Sequence, residues 1–235
     1  MTQEIATIAS VSKDVLRKIV PDFLLRQRDI VRLLGSKAGR IYARLYLLDL
    51  LRVRTANRRL VPPSARYFVF VCYGNIMRSA MAEVLMRQAL IEAGVEQQVR
   101  IISAGLHATA GGEAHVWAQE ASADLGISLA GHRAKPLTQE MVEQADCIFA
   151  MDFQNKAELL TLYPEAQEKI YMLSVYAEGT GRYPEILDPY HGDLETTRHC
   201  ARQLRTCIRN LVASTFLASL TTGETKTDSR RVEHR

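Results

Sequence analysis

The sequence predicts an α/β fold: a parallel sheet of four strands flanked by helices, preceded by an α-helical N-terminal extension. Three observations carry this. Beyond residue 66, short apolar runs of β-prone residues alternate with helical patterns, as βαβ crossovers require. Upstream, only helical spacings occur. The charge also changes sign between the two parts. Residues 1–65 hold 13 Lys/Arg against 5 Asp/Glu, whereas residues 66–235 hold 17 against 21. The seam falls at Pro62-Pro63, a pair that forces extended backbone. With 235 residues, 47% hydrophobic and 24% charged, the chain has room for one large domain plus an appendage and does not read as disordered. The division expected is a basic helical extension over 1–62, an α/β domain over 63–220 and a frayed polar tail over 221–235.

Each element has its own local reason. Pro21 interrupts the first pattern, and Asp22 can cap the next helix. Apolar residues recur at helical spacing from Phe23 to Leu34. Gly35 suits the position just past a helix end, and Ser36 can cap a second helix from Lys37 to about Arg59. The run YFVFVC, Tyr67 to Cys72, is continuous and apolar, as for a strand buried on both faces. A helical pattern runs from Ser79 to Ala93, then a second strand from Val99 to Ser103, ending at Ala104-Gly105. Ala114 to Leu125 is helical, Cys147 to Met151 a third strand, Ile170 to Leu173 a short fourth, and Leu194 to Leu217 a long closing helix.

Several function classes fall away. The most apolar stretch, Leu45 to Leu51, contains Asp49 and is flanked by Arg44 and Arg52, far short of the roughly 20 apolar residues of a spanning helix. The N-terminus has no positive region ahead of an apolar run, so no secretory signal is read there. Cys72, Cys147, Cys200 and Cys207 form no CxxC pair, and a reducing cytoplasm is the expected compartment. No Walker, GxSxG or GxGxxG motif occurs. His107, His132 and His191 show no metal-binding spacing and read as hydrogen-bonding or surface residues. Neither a metal nor another cofactor is expected, and no basic strand carries the interleaved aromatics of a nucleic-acid binder.

The chemistry concentrates in Val71-Cys72-Tyr73-Gly74-Asn75-Ile76-Met77-Arg78-Ser79, where a buried strand hands over to a helix. Ligands of open α/β sheets bind at the carboxyl ends of strands, and a loop entering a helix N-terminus offers backbone N–H groups to an anion. Gly74 allows close approach or a positive φ, and Asn75 tolerates the left-handed region and can hydrogen-bond the loop into shape. Arg78 can fold back over this cradle, its planar fork holding two phosphate oxygens. A cysteine at the base of such a loop is favoured as the thiolate and is placed for in-line attack on phosphorus. Ser79 can donate its hydroxyl to that sulfur. Asp188, in Leu187-Asp188-Pro189-Tyr190-His191-Gly192, is the candidate general acid for the leaving oxygen. A rate dependent on both groups is expected to be bell-shaped on the acid side of neutrality.

From about Arg66 to about Ala218 the chain resembles the low-molecular-weight protein tyrosine phosphatases. The matching pieces are VCYGNIMRSAMAE at 71–83, SAGL at 103–106, GISLAGHRAKPLT at 126–138, ADCIFAMD at 145–152 and LDPYHGD at 187–193. The resemblance implies a flavodoxin-like, three-layer fold around a four-stranded parallel sheet. It implies hydrolysis of phosphotyrosine on protein through a phosphocysteine, without a cofactor. It makes Cys72 the nucleophile, Arg78 the phosphate clamp and Asp188 the general acid and then base. The substrate-binding set is Tyr73, Gly74, Asn75, Ile76, Met77, Ser79 and Tyr190, with Asn75 and Ser79 organising the loop. Tyr73, Tyr190 and Trp117 are candidate slot walls, though Trp117 also suits a packed helix.

Three departures stand out. Met77 replaces the second cysteine that many members use as a reversible disulfide partner. Ala80 replaces a common proline, and the basic extension is additional. Arsenate reductases share the scaffold but need relay cysteines ahead of the acid loop, whereas Cys200 and Cys207 lie beyond it. Protein-arginine phosphatases tend to carry Thr where this chain has Ile76. A non-enzymatic alternative is a phosphate-binding module tethered by the extension. There Lys37, Arg40, Arg44 and Arg52 lie loosely opposite Tyr42, Leu45, Tyr46, Leu50 and Val53. This suits a helix at a membrane surface, or one packed on the domain or on a second copy.

Overall fold

The computed structural model describes residues 22–51, 59–177 and 185–217. The tail beyond 220, Val53 and the stretch 52–58 of the second N-terminal helix lie outside the described residues. In chain order the elements are α1 (Asp22–Leu50), β1 (Tyr67–Cys72), α2 (Arg78–Glu92), β2 (Arg100–Gly105), α3 (Val116–Ala123), α4 (Gln139–Gln144), β3 (Cys147–Ala150), α5 (Phe153–Leu162), β4 (Ile170–Met172) and α6 (Leu194–Val212). All strand pairs are parallel and the order is β2-β1-β3-β4. The helices α4 and α5 are additions to the pattern expected from sequence, and Arg59 lies in the linker instead of ending a helix.

Side-chain alternation along the strands builds two cores. Phe68, Phe70 and Cys72 of β1 join Phe149 of β3 on one face, under α2, α3 and α6. Val69 and Val71 join Ile148 and Ala150 on the other, under α4 and α5. Both faces of β1 are thus covered, which is why its sequence is apolar throughout instead of alternating.

The N-terminal segment adds to the second core. At Gly35 (φ 74°, ψ −175°) α1 bends sharply, in a backbone region that favours glycine. The two arms fold together, and the Tyr42 hydroxyl donates to Gln27. The second arm buries Ala38, Tyr42 and Leu45, the last two in the cluster that also holds α5's Phe153, Ala157 and Leu159. Lys37 Nζ donates to the carbonyl of Thr161 at 3.3 Å, serving the C-terminal turn of α5. The face expected to be apolar therefore divides: Tyr42 and Leu45 are buried, Tyr46 is half-buried and Leu50 is exposed. Further on, Val61 N–H donates to the Tyr176 hydroxyl at 2.8 Å, which fastens the linker to the domain. Among the described residues, no helix is long and apolar enough to cross a membrane.

Candidate active site

The loop from Cys72 to Arg78 leaves the carboxyl end of β1 and enters α2. Its one residue with positive φ is Asn75 (φ 55°), so the left-handed position falls there and not on Gly74. The buried Asn75 holds the loop from four directions. Its Nδ2 donates to Ser79 Oγ and to Ser103 Oγ, both at 2.9 Å, and its Oδ1 accepts the Lys135 N–H at 2.9 Å. Its carbonyl lies 2.6 Å from His132 Nε2. An asparagine pays little for this backbone and offers both donor and acceptor, which explains the residue type.

Cys72 Sγ lies at the base of this turn. Ser79 Oγ is 2.9 Å away, and the Asn75 N–H donates to the sulfur at 3.3 Å. The end of β2 supports the same loop. Leu106 N–H donates to Cys72 O at 3.0 Å, and His107 N–H donates to Tyr73 O at 2.8 Å. Gly105 directly precedes these two donors. A Cβ there would lie 2.8 Å from both Asn75 N and Tyr73 O, so close approach of two backbones demands glycine.

Arg78 opens α2 with its side chain only 2% exposed. One nitrogen of its fork donates to Asp152 and, at 3.0 Å, to the carbonyl of Ile186. The other pairs with Asp188 Oδ2 at 2.5 Å. Burial alone works against this charge. The carboxylates of Asp152 and Asp188 and the Cys72 sulfur outweigh it and hold the guanidinium more firmly cationic than usual. Asp152 is also the N-cap of α5, accepting Asn155 N–H at 2.7 Å with its second oxygen.

The segment before Asp188 is fixed to the sheet. Ile186 N–H donates to Met151 O at 2.7 Å, and Glu185 Oε1 accepts Phe153 N–H at 2.8 Å. Burial pushes the Glu185 carboxyl up to about 7, helped by Asp152 and Asp49 and opposed by the Phe153 N–H and Arg78. Asp188 keeps its side chain 38% exposed, and its Oδ1 accepts Tyr190 N–H at 3.1 Å.

The fold thus brings together Cys72, Arg78, Asp188, Asn75 and Ser79. Tyr73 (54% exposed) and Tyr190 (49% exposed) stand open beside them, and Gly74 and Ile76 are partly exposed. Met77 departs from the expected binding set, because its side chain turns into the core and leaves only backbone for the loop. Trp117 is half-buried against the core and meets the His115 ring edge-on at 4.9 Å. Asp152, Gly105, His132 and Glu185 shape the site without standing out as functional in the sequence. A capping Asp directly after a strand is the available signal for Asp152. Burial pushes the thiols of Cys147, Cys200 and Cys207 up to about 12, so these three are held protonated in the core. A separate cleft lined by Pro62, Ser64, Asp146 and Lys169 lies by the start of β1, away from these groups.

A cysteine at the base of a strand-to-helix loop, with a buried arginine and a facing carboxyl group beside it, is the arrangement that a cysteine-dependent phosphatase needs. The family model described as low molecular weight phosphotyrosine protein phosphatase matches residues 67–222, and the chain belongs to that family. A protein-arginine-phosphatase of Bacillus subtilis (strain 168) is 34% identical over 143 residues, 61% of this chain and 92% of that protein. A probable low molecular weight protein-tyrosine-phosphatase EpsP of Ralstonia nicotianae is 38% identical over 124 residues, 53% of this chain and 78% of the relative. The crystal structure of a low molecular weight protein tyrosine phosphatase from T. tengcongensis superposes with a TM-score of 0.58 at 32% identity, covering 64% of this chain and 99% of that one.

Proposed function

We propose that the chain hydrolyses phosphotyrosine on protein, with Cys72 as nucleophile, Arg78 as phosphate clamp and Asp188 as general acid and base. The observation that carries this reading is the convergence of these three side chains, two of them 110 residues apart, around one loop whose Asn75 N–H points at the Cys72 sulfur. In the first step the Cys72 thiolate attacks phosphorus, the S–P bond forms and the P–O bond to the phenol breaks. Asp188 gives its proton to that oxygen. In the second step water attacks the phosphocysteine, Asp188 takes the water's proton, and inorganic phosphate leaves. Ser79 Oγ, at 2.9 Å, stabilises the departing sulfur. Asp152 and the Ile186 carbonyl keep one side of the Arg78 fork in place while the other turns from Asp188 to the phosphate.

A second reading, protein-arginine phosphatase, is favoured by the relatives of that name. Against it, Ile76 presents a branched apolar side chain and no hydroxyl to a phosphorylated guanidinium. Side-by-side turnover of one peptide carrying phosphotyrosine or phosphoarginine decides. The expected result is release of phosphate from the phosphotyrosyl form, abolished in Cys72→Ser. Turnover of the phosphoarginyl form alone overturns the first reading.

A further inference from the structure

Tyr73 directly follows Cys72, yet its ring is more than half exposed. An exposed tyrosine ordinarily samples several rotamers, and a ligand that uses it as a wall has to immobilise it. Here the ring is already held. It stacks on the His107 imidazole with centroids 4.5 Å apart and planes 29° apart. His107 is itself tied twice: its N–H donates to Tyr73 O at 2.8 Å, and its Nε2 lies 2.6 Å from Glu158 Oε2. Glu158 stands on α5, the helix whose first turn is capped by the Arg78 partner Asp152. On the acid-loop side, Tyr190 meets His115 edge-on at 5.8 Å. Each exposed tyrosine beside the phosphate loop is thus backed by a histidine.

Building on the phosphotyrosine reading, we infer that His107 and Glu158 are positioning residues that preset the Tyr73 ring as a slot wall and thereby favour flat aryl phosphoesters. Neither residue touches the reacting atoms. Their effect falls on binding of the aryl group, through a ring that needs no ordering when substrate arrives. A stacked aromatic partner is sequence-tolerant, so the preference concerns the phosphorylated ring and not its neighbours.

The test uses the full chain. His107→Ala should raise KM for a phosphotyrosyl peptide about 3–10-fold, the range expected for ordering one side chain. Its kcat and its inhibition by inorganic phosphate should stay within twofold of the parent. Glu158→Ala should shift KM in the same direction by less, and His107→Phe, which restores a ring beneath Tyr73, should recover most of the loss. Tyr73→Ala combined with His107→Ala should raise KM no further than Tyr73→Ala alone, as coupled residues require. Additive effects overturn the inference, as do an unchanged KM in His107→Ala or an equal loss of phosphate inhibition. If the unsubstituted chain does not turn over the phosphotyrosyl peptide at all, the underlying substrate reading fails instead.

Discussion

Arg78 lies between Asp152 and Asp188 and, in the proposed mechanism, has to release one of them when a phosphate arrives. The two carboxylates therefore have separable jobs, and their variants should differ. Asp188→Asn removes the proton donor and should lower kcat for a phosphotyrosyl substrate by about 10²–10⁴-fold, the usual worth of a positioned general acid. Inhibition by inorganic phosphate should not weaken, and steady-state kinetics with a phosphate titration checks both. Asp152→Ala instead takes one of two carboxylates from a buried guanidinium and uncaps α5, and should cost about 1–3 kcal/mol of stability, read as a lowered denaturation midpoint. Arg78→Lys keeps the charge but loses the fork, and should cost at least about 10²-fold in kcat, comparable to losing a transition-state donor. Met77 predicts a redox behaviour. A thioether forms no disulfide, so peroxide should drive Cys72 toward irreversible oxidation with no partner at position 77. Met77→Cys should recover more activity on thiol treatment after a peroxide pulse than the parent does, and equal recovery contradicts this account.

At the scale of elements, the end of β2 and the acid loop carry the sharpest expectations. Gly105→Ala would place a methyl 2.8 Å from the backbone of Tyr73 and Asn75, so the phosphate loop itself has to shift. Phosphate inhibition should weaken strongly in this variant, while the far-ultraviolet circular dichroism stays that of the parent. Glu185 gives the acid loop a pH dependence. Its carboxyl is raised to about 7 by burial, so the folded state prefers the protonated form. Its contribution to stability is fully present below the ordinary carboxyl range and is lost as pH rises through about 7. Stability should therefore fall over that window by up to about 1.4 kcal/mol per pH unit, read as a declining melting temperature, and Glu185→Gln should flatten the fall. The phosphate loop and β1 were legible because their signals are local: five apolar residues in a row, then Cys, Asn, Arg and Ser within eight positions. The helix α4 was not, since its six residues bury only Val142 and show almost no periodicity. The roles of Asp152 and His132 were hidden for another reason. Each depends on a contact across many residues, 74 from Arg78 to Asp152 and 57 from Asn75 to His132, and no local pattern reports such a pairing.

The whole molecule poses the question of the basic extension, whose composition sets it apart from the rest of the chain. Charge divides the chain at Pro62-Pro63, but packing does not respect that line. The second arm of α1 lies on α5, and Tyr42 and Leu45 share a hydrophobic cluster with Val69 and Val71 of the central strand. Arg59 pairs with Glu168 at 2.5 Å and lies over the Tyr171 ring, 5.1 Å from its centroid. A segment held this way melts with the body it covers, because its apolar groups have no other place to be buried. We therefore expect one cooperative unfolding transition for the full chain. Leu45→Ala should lower it as a whole, by about 2–5 kcal/mol as buried leucines generally do, or roughly 2–4 °C per kcal/mol for a domain of this size. Calorimetry alongside activity measured through the same temperature range checks this. A separate low-temperature transition that leaves phosphatase activity intact would show that α1 is an independent appendage. In that case its remaining exposed side, Arg40, Arg44, Leu47 and Leu50, would have to be judged by anionic-vesicle flotation of the full chain. If instead activity and structure are lost together, the extension is part of the scaffold that seats Asp152 against Arg78, and the catalytic domain begins well before the seam in charge.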